Sequence, residues 1–132
     1  MGLFSGSRPR DLGLAAGRLR AGNWKPNWVS SQVAAEDTKH FIAPLRPAGP
    51  LGAAWQALHG ALRAMPGATL VTSDPGYLHV EFASAVMGFV DDAEFALDAA
   101  AGAIHVRSGA RLGIDDFGVN RKRIEGIRAA LH

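Results

Sequence analysis

Residues 94–107 constrain the fold more than any other stretch. Phe95 and Leu97 alternate with Glu94 and Asp98. After Ala99-Ala100-Ala101-Gly102, Ile104 and Val106 alternate with His105 and Arg107. A period of two is the pattern of a half-buried strand, and a helix cannot gather it onto one side. Pairing Leu97 with Ile104 and Phe95 with Val106 makes one apolar face. The same register sets Glu94 opposite Arg107 and Ala96 opposite His105. An opposite-charge cross-strand pair supports it by about 0.2–1 kcal/mol. Asp92 and Arg111 extend the same polar face, and the alternation turns Asp91 away from Asp92.

The rest of the chain supplies partners for this hairpin. Ala68–Ser73 and Tyr77–Ala85 read as two more strands around the turn composition Asp74-Pro75-Gly76. A two-residue Pro-Gly loop suits hairpin twist poorly, so a longer loop is expected there and the register stays open. Over Leu51–Met65, the residues Leu51, Ala54, Trp55, Leu58, Leu62 and Met65 form one apolar stripe at helical spacing. Pro50 suits the first turn, and Pro66-Gly67 stops the helix. A second helix is expected from about Asn120 to Leu131, with Ile124, Ile127 and Leu131 as its stripe and Asn120 as its cap. Its first turn, Arg121-Lys122-Arg123, has the wrong sign for a helix N-terminus. Asp115 and Asp116 are the expected partners, with Glu125 facing Arg121. Gly22–Gln32 reads as a loop laid on the domain, with Trp24 and Trp28 burying area. Pro44, Pro47 and Pro50 make the following connection extended. The expected fold class is α+β: an antiparallel sheet of about four strands with two helices packed on one face.

The net charge of +2 is unevenly spread. Arg8, Arg10, Arg18, Arg20 and Lys25 stand against Asp11 alone in the first 25 residues. Residues 1–22 are therefore expected to be a basic flexible arm, and 23–132 a single α+β domain. With no cysteine among 132 residues, thiol catalysis and disulfides are out. No apolar run approaches the roughly 20 residues a membrane helix needs, so no transmembrane segment is expected. Arg8, Arg10 and Asp11 interrupt any secretory h-region, and the expected location is cytoplasmic. Residues 26–132 are net acidic, and the aromatic-plus-basic strand pattern of RNA-binding sheets is missing, so specific nucleic-acid binding is not expected.

Three pieces of the chain resemble a known family: PNWVSSQ at 26–32, His40 followed by Ile42–Leu45, and the block from GFVDDAEF at residue 88 through IHVRSGARLGIDDFGVNRKRIEGIRAAL to residue 131. Together they look like the bacterial and plastid domain-of-unknown-function family fourteen-ninety-nine, over about residues 26–131. The resemblance implies a shared fold and polar constellation and brings no established activity. Many members look like lipoproteins or exported proteins, and several carry a cysteine where this chain has Trp28.

The candidate site follows from the alternating charges. Asp92, Glu94, Arg107, Arg111 and Arg121 are the expected ligand-binding residues. Planar guanidinium forks suit carboxylate or phosphate groups. Asp91, Ser108, Asp115, Asp116, Asn120 and Arg123 are the expected polar scaffold, gathered with them into one patch. The expected partner is a small anionic or zwitterionic ligand or a protein, with no cofactor and no metal. Three carboxylates at 91, 92 and 94 lack the spacing of a cation loop. His79, His105 and Glu81 would be a metal site only if the strand order joined them. The leading reading is a non-catalytic ligand- or partner-binding module. One alternative is a hydrolase using His40 or an acidic residue as general base, with Asn27, Ser30 and Ser31 nearby. It lacks the G-x-S-x-G elbow. The other is a structural or assembly protein docking through the basic arm and the tryptophans.

Overall fold

The structure, a computed structural model, describes residues 4–131. A small hairpin, β1 (Leu14–Ala15) and β2 (Arg18–Leu19), comes first. Then follow β3 (Trp28–Ser30), α1 (Leu51–Ala64), β4 (Ala68–Asp74), β5 (Tyr77–Ala83), β6 (Val90–Asp98), β7 (Ala103–Ala110) and α2 (Val119–Ala130). The fold is α+β, and its main sheet is antiparallel in the order β3-β7-β6-β5-β4. It has five strands where about four were expected. The extra one, β3, lies in the stretch that read as a loop, and it sets Trp28 opposite Gly109.

The β6–β7 register is the one the alternation predicts: Phe95 faces Val106, Leu97 faces Ile104, and Glu94 faces Arg107. The β4–β5 turn corrects an expectation. Asp74 pairs with Tyr77, so Pro75 and Gly76 alone make the turn. An irregularity between Leu70 and Thr72 lets the strands adjust behind it.

Strand parity sorts the sheet into two faces. Leu78, Val80, Phe82, Ala93, Phe95, Ile104 and Val106 meet Trp55, Leu58 and Leu62 of α1 and Ile124 and Ile127 of α2 in one core. Full burial of such a side chain stabilises by roughly 1.5–3 kcal/mol. Both helices therefore lie on one face. The other face carries Tyr77, His79, Glu81, Asp92, Glu94, His105, Arg107 and Arg111.

Residues 4–22, expected as an arm, lie against that polar face. Arg8 bonds Glu81, Asp11 bonds Arg107, and the Gly13 N–H donates to Glu94. Leu19 is buried, and its N–H donates to Gln32. Trp28 buries as expected and stacks on His40 at 3.9 Å, but Trp24 is 71% exposed. No helix among the described residues is long and apolar enough to cross a membrane.

Candidate functional site

On the polar face, β5, β6 and β7 present neighbouring side chains at register positions that place unlike charges together. Arg111 is the hub. Its Nε donates to Asp92 Oδ2 at 2.7 Å, and its Nη2 donates to Asp92 Oδ1 at 3.0 Å and also to Glu81. His79 Nε2 contacts Asp92 Oδ1 at 2.7 Å. Burial pushes the Asp92 carboxyl up, but hydrogen bonds from Arg111 and His79 outweigh it and hold the group below its ordinary value. Glu81 behaves alike: burial raises it, while Arg8 and Arg111 bring it down. Hydrogen bonding to Asp92 makes Arg111 harder still to deprotonate.

One nitrogen of His79 and one oxygen each of Glu81 and Asp92 lie within 4.8 Å of one another. These are metal-ligand types, but Arg111 already supplies the cation to both carboxylates. As it stands, the trio is an ion-pair cluster. His105 stands apart from them and bonds Ser31 and Asp98.

Glu94 is fully buried. Its Oε2 accepts from the Tyr77 hydroxyl and from the Gly13 N–H at 2.7 Å, whereas its Oε1 has no hydrogen-bond partner. The nearest charge to Oε1 is Arg107 Nη1, at 3.6 Å. Burial raises the Glu94 carboxyl above its ordinary value despite Tyr77, Gly13 and Arg107. Arg107 donates to the carbonyl and the carboxylate of Asp11, each at 2.8 Å. Beside it lies a cavity of about 220 Å³ whose walls include Trp28, Asn23, Asp92, Arg107 and Arg111.

A pH test follows from Glu94. Its folded-state pKa is raised, so the native state binds this proton more tightly than the unfolded chain does. That contribution is present below the ordinary Glu value and is lost as pH rises from there through the folded pKa. Gln in its place cannot titrate. Urea melts of Glu94→Gln against wild type should show the variant gaining relative stability as pH rises through that window. A difference that stays flat from pH 4 to pH 8 would remove the proton from the account.

The expected single patch is divided in two by the sheet. Asp92, Glu94, Arg107 and Arg111 stand together on the polar face. Asp91, Ser108, Asn120 and Arg123 meet on the helix face. There Arg123 bonds Asp91 at 2.9 Å and Asn120 at 2.7 Å and lies over the Phe82 ring. Burial raises Asp91 even so. Arg121 joins neither group, and among the described residues its guanidinium reaches only the Lys39 carbonyl, at 3.3 Å. Asn120 is not the helix cap. Gly118 holds that position, and Asp116 accepts the N–H groups of Gly118 and Asn120. Asp115 accepts the Phe117 N–H, and Glu125 pairs with Arg128 rather than Arg121. The adverse charge of the first turn is thus offset by Asp91 and by carboxylates bonded to backbone.

The catalytic alternative finds little support in the geometry. His40 is buried with both ring nitrogens engaged, Nδ1 by Asp37 at 2.8 Å and Nε2 by the Lys25 carbonyl at 2.9 Å. It lines neither of the two larger cavities. Ser31, His105 and Asp98 form a hydrogen-bonded row, at 3.1 Å and 3.2 Å. Spacing does not reveal this row, since β3 is needed to bring Ser31 to β7. Yet Ser31 is buried, its hydroxyl accepts the Val106 N–H at 2.9 Å, and it too lies outside those cavities.

Residues missed by sequence reasoning are Asp11, Gly13 and Tyr77, which complete the polar face from the opening segment and β5. A family model described as Protein of unknown function (DUF1499) matches residues 18–131. No curated protein and no solved structure matches the chain.

Proposed function

We propose, for a chain that belongs to the DUF1499 family, a role read from its own polar face: non-catalytic binding of a small anionic or zwitterionic molecule, with Arg107 as the anion anchor. The observation that carries this reading is the company Arg107 keeps. Apart from Glu94 at 3.6 Å, its partners are two oxygens of Asp11, whose side chain is 44% exposed. Arg111, by contrast, is spent on the sheet carboxylates Asp92 and Glu81 and supports the site without offering itself. Arg121 lies too far off to take part.

The opening segment occupies the site as a ligand would. Asp11 offers a carboxylate to Arg107, and Gly13 offers an N–H to Glu94. A zwitterion with a carboxylate and an ammonium presents the same two groups. The unpartnered Glu94 Oε1 gives the ammonium an acceptor that the segment leaves unused. The adjoining cavity, about 220 Å³, suits a molecule of amino-acid size rather than a large metabolite.

Calorimetry with glutamate, glycine, succinate and inorganic phosphate tests the reading. Asp11→Asn removes an ion pair whose Asp11 side is open to water, worth about 1 kcal/mol, so affinity should rise by up to about fivefold. Arg107→Gln should lower it at least about tenfold, the loss of one charge-assisted hydrogen bond. If no probe binds, or if neither variant moves the affinity in its stated direction, the polar face is a structural network alone.

A further inference from the structure

A second cavity lies on the helix face of the sheet, and the polar-face site makes no use of it. Its volume is about 470 Å³, within the roughly 300–1,000 Å³ of small-molecule pockets. Its apolar walls are Met65, Phe82, Phe89, Leu112, Phe117 and Val119. Four of these, Phe89, Leu112, Phe117 and Val119, leave more than two fifths of their surface in water. Apolar residues exposed singly need no explanation, but these converge on one concave surface. Phe117 is the extreme case. It is 90% exposed and holds the left-handed backbone conformation, φ 53°, with its N–H bonded to Asp115. A side chain other than glycine rarely adopts that conformation, so the loop holds an aromatic ring outward at a local cost.

The charges around the cavity select among occupants. Three carboxylates, Asp91, Asp115 and Asp116, line it against one guanidinium, Arg123. Arg123 is already engaged by Asp91 and Asn120. An anionic head would find no free cation here, whereas a cationic head finds carboxylates at the rim. The chain itself supplies a precedent, because the Arg123 guanidinium sits 4.6 Å from the Phe82 ring centre with Asp91 beside it. We infer that this cavity binds a small cationic amphiphile: an ammonium group carried on an aliphatic or aromatic body, the body among Phe82, Phe89 and Phe117 and the charge toward Asp115 and Asp116. An anionic lipid surface is disfavoured by the same carboxylates.

Calorimetric titration of the full chain with octylammonium, octyl sulfate and neutral octanol, each below its aggregation concentration, tests the inference. Octylammonium should bind at least tenfold more tightly than octyl sulfate. Asp115→Asn keeps the one side-chain oxygen that accepts the Phe117 N–H but removes a rim charge, and it leaves Asp116, which uses both of its oxygens at the start of α2, untouched. It should lower octylammonium affinity about fivefold or more and leave octanol unchanged. Phe117→Ala should weaken all tails that bind. Glutamate should not compete with octylammonium, which separates this cavity from the polar-face site. Equal binding of the three tails, preference for the sulfate, or no binding at all would overturn the inference. So would flotation with phosphatidylcholine vesicles in the absence of octylammonium binding.

Discussion

Arg111→Met should lower the unfolding free energy by about 3–5 kcal/mol, the usual cost of removing one partner from a buried ionic cluster. The Arg111 side chain is 5% exposed and joins Asp92 and Glu81 on two neighbouring strands. Met fills comparable space but leaves Asp92 with His79 alone and Glu81 with the exposed Arg8. The melting temperature should fall by on the order of 10 °C or more. The loss also carries a pH signature. Arg111 helps hold Asp92 below its ordinary value of 3.8, so the wild type has this stabilisation above that value and loses it as pH falls further. In the variant, burial without the guanidinium raises Asp92. The deficit should then be fullest near neutral pH and shrink in acid, as the stranded carboxylates take up protons. Arg121→Met removes the same charge from a side chain with a single 3.3 Å bond, and it should change stability by less than about 0.5 kcal/mol. Equal losses from the two variants would show that net charge, not the buried cluster, governs stability.

What the sequence disclosed depended on how local the signal was. The β6–β7 register was legible because two apolar pairs and one ion pair agree on it, and a slip would bury the charges. The helices were legible from their stripes. β3 was not: Trp-Val-Ser is too short to show alternation, and it becomes a strand only by pairing with β7. Gly109 is the faint clue, since a Cβ there would lie 2.7 Å from Trp28 Cβ. The opening segment reads as an arm because its Gly, Ser, Arg and Pro residues leave no strong apolar period, although Leu19 does bury. Its partners, Glu81, Glu94 and Arg107, lie more than 70 residues away. The candidate site failed as one patch for a plainer reason. Parity separates Asp91 from Asp92, and the same parity sends Ser108 to the helix face with Asn120 while Arg107 stays behind. Neighbours in sequence became neighbours across a sheet.

That division makes Asn120 the pivot of the helix-face group, and its replacement should be as costly as that of Arg111. Asn120 is fully buried. Its Oδ1 accepts from Ser108 at 2.6 Å and Arg123 at 2.7 Å, and its Nδ2 donates to Asp116 at 2.8 Å. Asn120→Ala strands the Ser108 hydroxyl, a buried donor, at about 1–3 kcal/mol, and it weakens the hold on Arg123 and opens space beneath α2. The sum should be about 3–5 kcal/mol. Asn120→Asp divides the possible causes. It keeps the shape and the acceptor for Ser108 and Arg123, but it sets a second carboxylate 2.8 Å from the Asp116 oxygen that Nδ2 now meets. Two such groups cannot both ionise cheaply, so one folded-state pKa rises. By linkage, this variant should approach wild type in acid and lose stability as pH climbs above the ordinary carboxylate range, through the raised pKa. Urea melts of both variants between pH 4 and pH 8 would decide it. If Asn120→Asp matches wild type across the whole range, the Asn120–Asp116 contact does not fix the start of α2. The 3–5 kcal/mol would then have to come from Ser108 and packing alone.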